Sequence, residues 1–193
     1  MSATNRGSAR VEGDYYPTPE SCTKAIAGKI SWCEVRTIGE PCVGDGAILR
    51  AIPKMVTYTT DISQGTDYLK HGLPKVDLII TNPPYNLAKE FLEKSLTEAR
   101  CVVYLLRINF LGSAKRKEFF AKHRPTHLYV LSERPSFVDV CTGTCKAKYQ
   151  KAAKIKTCEC GSPVKAGTDA TEYAWFCWDM DGIMEEEQGI YVL

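Results

Sequence analysis

The chain has 193 residues, of which 44% are hydrophobic and 25% are charged, values typical of a globular domain of ordinary size. No apolar stretch approaches the roughly 20 residues that span a membrane, and residues 1–8 lack the apolar segment of a secretory signal. We therefore expect a cytoplasmic protein with no membrane partner. The net charge of +2 is too small to indicate a polyanionic partner, so only local clusters of charge can do so.

The N-terminal region predicts an arm followed by a helix. Residues 1–13 are polar and predict a flexible arm ahead of a single domain over 14–193. Residues 16–19, Tyr-Pro-Thr-Pro, are held extended by two prolines, and Pro19 also suits the first turn of a helix. Apolar residues at four-residue spacing predict that helix over 20–30. The proline segment is either a helix entry or a rigid aromatic platform beside a ligand.

A short strand over 35–38 leads into an acidic residue and a Gly-x-Gly turn, Glu40, Gly44 and Gly46. Glycine permits positive φ and lets a ligand approach the backbone closely, although this spacing is not the full dinucleotide-binding pattern. An acid at the strand tip disfavours a pyrophosphate. It favours a cationic ligand, such as the ammonium group of an amino acid.

Two aspartates follow a second predicted strand, over 55–60. Asp61 comes directly after that strand, where an acid can bind ribose hydroxyls in a βαβ unit. Asp67 is placed to accept a hydrogen bond from an adenine amino group. For both residues the alternative is a turn or a helix cap.

The tetrapeptide Asn82-Pro83-Pro84-Tyr85 follows a short, β-branched strand over 76–80 that we predict to be buried on both faces. A double proline cannot continue a ladder or enter a helix interior, so it predicts a rigid loop at the strand's carboxyl end. Ligands bind at that end in open α/β sheets. An amide, a fixed carbonyl and an aromatic ring there can hold a planar amino group. The alternative is an ordinary proline-rich strand exit.

The rest of the chain alternates predicted helices and strands. A helix over 86–99 would be capped by Asn86 and would turn five residues inward, namely Leu87, Phe91, Leu92, Ser95 and Ala99. A basic amphipathic helix over 114–123 is by default a solvated face. Further strands are predicted over 101–106, 127–131, 172–178 and 189–193. This alternation indicates an α/β protein with a mostly parallel sheet.

The order of these motifs resembles the S-adenosylmethionine-dependent DNA amino-methyltransferases, most closely the adenine-N6 branch in the small form typical of phages and prophages. The resemblance covers about residues 14–140 and 168–180, and the cofactor motif precedes the Asn-Pro-Pro-Tyr loop, as in gamma-type enzymes. The loop is shared with RNA and protein-glutamine methyltransferases, whereas Tyr-Pro-Thr-Pro favours DNA adenine. Cys42 departs from the family, which often carries Phe there, so this chain lacks the packing contact of that aromatic ring.

The resemblance implies a class I, Rossmann-like methyltransferase fold with a mostly parallel seven-stranded sheet and helices on both faces. It places Tyr16, Pro17 and Thr18 at the methionine end of the cofactor. It also places Glu40, Gly44 and Gly46 around the amino-acid part, Asp61 at the ribose and Asp67 at the adenine. Asn82, Pro83, Pro84 and Tyr85 would form the catalytic loop. The implied partner is DNA with the target adenine flipped out of the helix.

A cysteine- and lysine-rich insert over 141–166 lies outside the resemblance. Its cysteines have the pattern C-x3-C-x12-C-x-C, which favours a structural zinc site over free thiols or one labile disulfide, and they are Cys141, Cys145, Cys158 and Cys160. Basic residues in and near the insert predict DNA phosphate contacts, namely Lys146, Lys148, Lys151, Lys154, Lys156 and Arg134. A solvated lysine loop is the alternative. The other five cysteines, including Cys33, are expected in the core.

The sequence therefore predicts a DNA adenine-N6 methyltransferase. Two alternatives stay open: an RNA or protein-glutamine methyltransferase with the same loop, and a non-catalytic DNA-binding protein of the same fold.

Overall fold

A computed structural model describes residues 18–135 and 171–193. Within these residues the chain forms one seven-stranded sheet. The strands are β1 (Ile38–Glu40), β2 (Tyr58–Thr59), β3 (Val76–Thr81), β4 (Ala99–Arg107), β5 (His127–Val130), β6 (Tyr173–Asp179) and β7 (Gly189–Val192). Their order across the sheet is β2-β1-β3-β4-β6-β5-β7. All neighbouring strands are parallel except β6, which runs antiparallel to both β4 and β5.

Helices cover both faces of this sheet. They are α1 (Glu20–Ala27), α2 (Ala47–Ala51), α3 (Tyr68–His71), α4 (Ala88–Glu98) and α5 (Lys117–Lys122). Among the helices of the described residues, none has both the length and the apolar character needed to cross a membrane.

The central strand β4 shows why the predicted strands lack an alternation of polar and apolar residues. Its odd-numbered residues, such as Val103, pack with Ile26 and Ile48 of α1 and α2. Its even-numbered residues, such as Val102, pack with Phe91 of α4. Because both faces are covered, a continuous apolar run is needed, and the prediction of a doubly buried strand is confirmed for β3 and β4.

Several predicted boundaries are wrong near the N-terminus. The helix expected over 20–30 ends at Ala27, although Ile30 remains buried and bridges to Met184. The strand expected over 35–38 begins only at Ile38, because residues Trp32–Glu34 form a 3-10 turn. The strand expected over 55–60 is reduced to Tyr58–Thr59. Short elements make few backbone hydrogen bonds, so local propensity defines their ends poorly.

The helix expected over 86–99 begins two residues late. The amide of Leu87 donates to the carbonyl of Pro84 at 3.0 Å, so a turn follows the double proline before the helix starts. The cap is therefore Leu87 and not Asn86. The shift also leaves Leu87 exposed and buries Ala88, which corrects the predicted inward face at that position.

Two further expectations need correction. The helix expected over 114–123 divides into a 3-10 turn, Ala114–Arg116, followed by α5. Cys33 is exposed and is not a core residue, whereas Cys22, Cys101 and Cys177 are buried and Cys42 is partly buried.

Candidate functional site

Four neighbouring strands end at the same edge of the sheet, because β2, β1, β3 and β4 are parallel. Glu40 is the last residue of β1, and Asp61 lies two residues beyond β2. Asn82 follows β3 directly, and Arg107 ends β4. The sheet thus brings together acidic, amide and cationic side chains, at the edge where open α/β sheets bind ligands.

The Glu40 carboxylate is buried without full hydrogen bonding. Its residue is 1% exposed, and Oε2 has no hydrogen-bond partner within the described residues. Burial raises the pKa of this carboxyl well above its usual range, and the carboxylates of Asp45 and Asp61 raise it further. A buried acceptor without a partner is costly unless a ligand supplies one. Glu40 is therefore suited to a cationic or hydrogen-bonding ligand.

The Gly-x-Gly turn adopts the left-handed backbone that its sequence predicts. Gly44 has φ of 50° and Gly46 has φ of 78°, a region in which other residues are strained. The Gly44 amide donates to Oδ2 of Asp61 at 2.7 Å. This bond joins the loop after β1 to the end of β2 and fixes the Asp61 side chain.

Asp61 also orders the turn that follows it. Its Oδ1 accepts from the Ser63 amide at 2.8 Å and from the Ser63 hydroxyl at 2.5 Å. A carboxylate offers roughly four acceptor positions, so these three bonds leave capacity for a ribose hydroxyl. The turn role and the predicted ribose role are compatible.

Asp67 caps a helix, which is one of the two roles considered for it. Its Oδ1 accepts from the Leu69 amide at 3.0 Å at the start of α3, and Oδ2 lies 3.4 Å from Lys70 Nζ. The predicted contact with a cofactor adenine remains a prediction.

The Asn82 side chain is hydrogen-bonded to Thr18, the first of the described residues. Its Nδ2 donates to the Thr18 hydroxyl at 3.1 Å, and Thr18 is buried. The amide oxygen is directed away from Thr18 by this bond. Pro83 is buried and Pro84 is partly buried, so the loop backbone is packed as well as stiffened by its prolines.

Tyr85 belongs to an aromatic and cationic cluster. The Arg107 guanidinium carbon lies 5.0 Å from the centre of the Tyr85 ring and 5.9 Å from that of Tyr173. Arg107 Nε donates to the Tyr173 hydroxyl at 3.1 Å, and the two rings are 6.0 Å apart. These contacts restrict the orientation of the Tyr85 ring beside Asn82.

Sequence reasoning missed the parts played by Arg107 and Tyr173. The predicted strand ended at Leu106, and Tyr173 was only part of a closing strand. Arg107 directly follows an apolar run and so marks the end of β4 in the sequence. Its pairing with Tyr173, however, depends on the antiparallel register between β4 and β6. That register cannot be read from local sequence.

Several predicted site residues lie outside the described residues. These are Tyr16, Pro17, the cysteines Cys141, Cys145, Cys158 and Cys160, and the lysines Lys146, Lys148, Lys151, Lys154 and Lys156. Over 18–135 and 171–193, no three His, Cys, Asp or Glu residues are grouped to hold a metal. Arg134 is described, and its guanidinium pairs with the Glu172 carboxylate.

Comparison with known proteins supports the fold. No protein-family model and no curated protein matches the sequence. Among solved structures, the chain resembles a Listeria monocytogenes protein provisionally described as a class I S-adenosylmethionine-dependent methyltransferase. The TM-score is 0.55 at 11% identity, over 97% of this chain and 67% of that one. The chain has the class I methyltransferase fold, and the predicted fold class is confirmed.

Proposed function

We propose that the protein transfers a methyl group from S-adenosylmethionine to the exocyclic N6 of adenine in DNA. The observation that carries the first half of this proposal is the buried Glu40 carboxylate at the end of β1, which pairs with the strand that precedes Asn82. Its Oε2 has no partner in the described residues. An ammonium group is the ligand that such an acceptor favours. The class I fold of the structural neighbour supports the same cofactor.

The residues around Glu40 fit the other parts of that cofactor. The left-handed turn at Gly44 and Gly46 allows close approach to the backbone, and Asp61 is held by Gly44 with acceptor capacity to spare. When bound, S-adenosylmethionine supplies an electrophilic methyl group on a sulfonium sulfur.

The Asn82 loop would act on the target amine. The amine nitrogen is a poor nucleophile because its lone pair is delocalised into the ring. The Asn82 amide oxygen and the Pro83 carbonyl would each accept one of its hydrogens, which favours a tetrahedral nitrogen with an available lone pair. Tyr85 would stack on the base. Holding the two reactants in line contributes up to about 7–11 kcal/mol in favourable cases.

The methyl transfer would need no strong base to remove a proton from the amine beforehand. The nitrogen lone pair would form the new N–C bond as the methyl group left the sulfonium, whose sulfur would keep the electron pair of the C–S bond. The nitrogen gains the positive charge that the sulfur loses, and its extra proton then leaves to solvent.

DNA adenine is favoured as substrate by the resemblance that Tyr-Pro-Thr-Pro carries. RNA or protein glutamine is the second candidate, because all three substrates present a planar amino group to the same loop. Zinc at the four cysteines of 141–166 is a separate part of the proposal. Metal analysis of protein purified without chelators tests it, and a zinc content near zero would exclude the site.

The test is transfer of labelled methyl to unmethylated DNA, RNA and protein in parallel, followed by nucleoside digestion. We expect N6-methyladenine in DNA alone. Asn82→Ala should abolish transfer while leaving cofactor binding within a few-fold of wild type, because Asn82 is assigned to the amine. Label in RNA or protein would overturn the substrate. Absence of both transfer and cofactor binding would overturn the proposal entirely.

A further inference from the structure

An unpaired basic strip lies on the segment between β4 and β5. Residues 114–124 contain one acid, Glu118, and four cations that are exposed and make no ion pair within the described residues, namely Lys115, Lys117, Lys122 and Arg124. Lysines on the other helices differ. Lys24 of α1 and Lys89 of α4, for example, pair with carboxylates at 2.7 and 3.1 Å. A concentration of unpaired positive charge is the electrostatic signature of a polyanion-binding surface.

Arg116, between these cations, has a different role and fixes the strip in place. Its guanidinium carbon lies 4.5 Å from the centre of the Phe110 ring. It also donates to the carbonyls of Phe110 at 2.7 Å and Asn109 at 3.3 Å. The start of the strip is therefore attached to the turn that directly follows Arg107 at the site edge of the sheet.

The strip also contacts the helix that begins after the Asn82 loop. Phe119 of α5 packs in the same core cluster as Ala88, and Lys89 Nζ lies 6.0 Å from the centre of the Phe119 ring. Ala88 and Lys89 form the first turn of α4, three and four residues beyond Tyr85. From there the chain runs to His127, where β5 begins at the edge of the sheet opposite the site. Lys115 and Lys117 are thus nearest the site.

We propose that this basic strip binds the phosphate backbone of duplex DNA beside the flipped-out target base, with Lys115 and Lys117 making the main contacts. The inference rests on the proposed function and adds a substrate-binding surface to the same site. Double-stranded DNA carries one charge per about 1.7 Å of axis, so several exposed cations spaced along one segment can each lie near a phosphate. Phosphate contacts of this kind set affinity and register without reading sequence.

The test compares two double variants that remove equal charge. Lys115→Gln/Lys117→Gln removes the two cations nearest the site. Arg36→Gln/Lys75→Gln removes two exposed cations next to the amino ends of β1 and β3, at the opposite edge of the sheet, and serves as the control. Fluorescence anisotropy with a short labelled duplex is measured from low to moderate salt, alongside methyl transfer to the same duplex.

We expect Lys115→Gln/Lys117→Gln to weaken duplex binding about tenfold at low salt and to reduce the slope of log K against log salt by about 1–2. The KM for DNA should rise, with kcat and cofactor affinity unchanged. The control should match wild type. Thermal unfolding with and without cofactor checks that both variants keep an intact fold and cofactor site.

The outcomes separate the inference from the proposed function. If wild type binds and methylates DNA but the Lys115/Lys117 variant keeps its affinity and salt slope, the strip inference is overturned. Equal losses in both double variants would also overturn it, since net charge alone would then explain the effect. If wild type methylates only RNA or protein, the proposed substrate fails first, whatever the two variants do.

Discussion

Glu40 carries a conflict between stability and binding. A carboxylate that is 1% exposed and lacks a partner for Oε2 destabilises the protein without its ligand. The same burial makes Glu40 selective for cations, because a cationic ligand forms a charge-assisted hydrogen bond with its carboxylate where little water competes. Such a conflict is typical of binding sites, where stability is lower than packing alone would allow.

Glu40→Gln should therefore stabilise the ligand-free protein and impair cofactor binding. At neutral pH we expect a gain of roughly 1–3 kcal/mol in the free energy of unfolding, and a loss of cofactor affinity of tenfold or more. Because the folded pKa of Glu40 is raised above its ordinary value of 4.5, the folded state binds more protons than the unfolded state between the two values. Wild type then loses stability as pH rises through that window, and the variant should lack this slope.

Urea unfolding of both proteins at a series of pH values, without cofactor, gives the measurement. A variant that is no more stable than wild type at any pH would show that Glu40 has a partner in solution.

Thr18 acts on the amide that is proposed to hold the target amine. Thr18→Val removes the hydroxyl that accepts from Asn82 Nδ2 at 3.1 Å while keeping the shape of the side chain. We expect kcat to fall about 2- to 12-fold, as for loss of one neutral hydrogen bond, with the KM for DNA little changed. Thr18→Ser should retain activity. A rise in the Kd for cofactor instead would place Thr18 at the methionine end, as the family resemblance implies.

At the scale of elements, Asp77 and Arg100 together connect four strands at the edge opposite the site. Asp77 near the start of β3 accepts from the backbone amides of Arg36 and Thr37 at 2.8 and 2.9 Å, just before β1. Arg100 of β4 donates to Asp77 at 3.0 Å and to Asp181, just after β6, at 2.7 Å. Burial alone would raise the pKa of Asp77, but these donors outweigh it and lower the pKa to about 2.

Asp77 should make the protein sensitive to acid. Its folded pKa is about 2 against an ordinary value of 3.8, so its contribution is present above pH 3.8 and is lost as pH falls towards 2. The contribution is about 2 kcal/mol. Asp77→Asn should lower the free energy of unfolding by about that amount at pH 7 and flatten its fall between pH 4 and 2. Denaturant titrations over this range provide the check, and parallel curves for the two proteins would contradict the assignment.

At the scale of the whole molecule, the site is assembled from elements far apart in sequence. Thr18 meets Asn82, Gly44 meets Asp61, and Arg107 meets Tyr173. A ligand that bridges the ends of β1, β2 and β3 binds only the folded chain. It should therefore stabilise the whole unit and not one segment alone.

We accordingly expect S-adenosylmethionine, or its demethylated product, to raise the Tm. At 100 times its Kd a ligand adds about 2.7 kcal/mol, which corresponds to roughly 5–10 °C for a protein of this size. Differential scanning fluorimetry measures the shift, with Glu40→Gln as the variant expected to lose it and Lys115→Gln/Lys117→Gln as the variant expected to keep it. No shift with either ligand for wild type would contradict the cofactor assignment.

Local chemistry was enough to predict much of this protein. The apolar runs that became β3 and β4, the left-handed turn at Gly44 and Gly46, and the loop at Asn82 after a strand all follow from rules that act over a few residues. Helix ends were less predictable. The turn closed by the Leu87–Pro84 hydrogen bond makes α4 start two residues later than predicted, and Leu87 faces solvent where the prediction turned it inward.

By itself, the sequence determined the α/β class, the strand that leads into Asn82, and a resemblance to a family of methyltransferases. It also placed Glu40 and Asp61 near strand ends, although the bounds predicted for those two strands were wrong. Only the tertiary structure decided that Glu40 lacks a partner for Oε2 in the described residues, and that Arg107 and Tyr173 lie against Tyr85. It also decided that four exposed cations, Lys115, Lys117, Lys122 and Arg124, make no ion pair within the described residues. The physical reason is distance along the chain: periodicity and turn preference act between near neighbours, whereas burial and partners come from strands and loops 20–70 residues apart that only packing brings together.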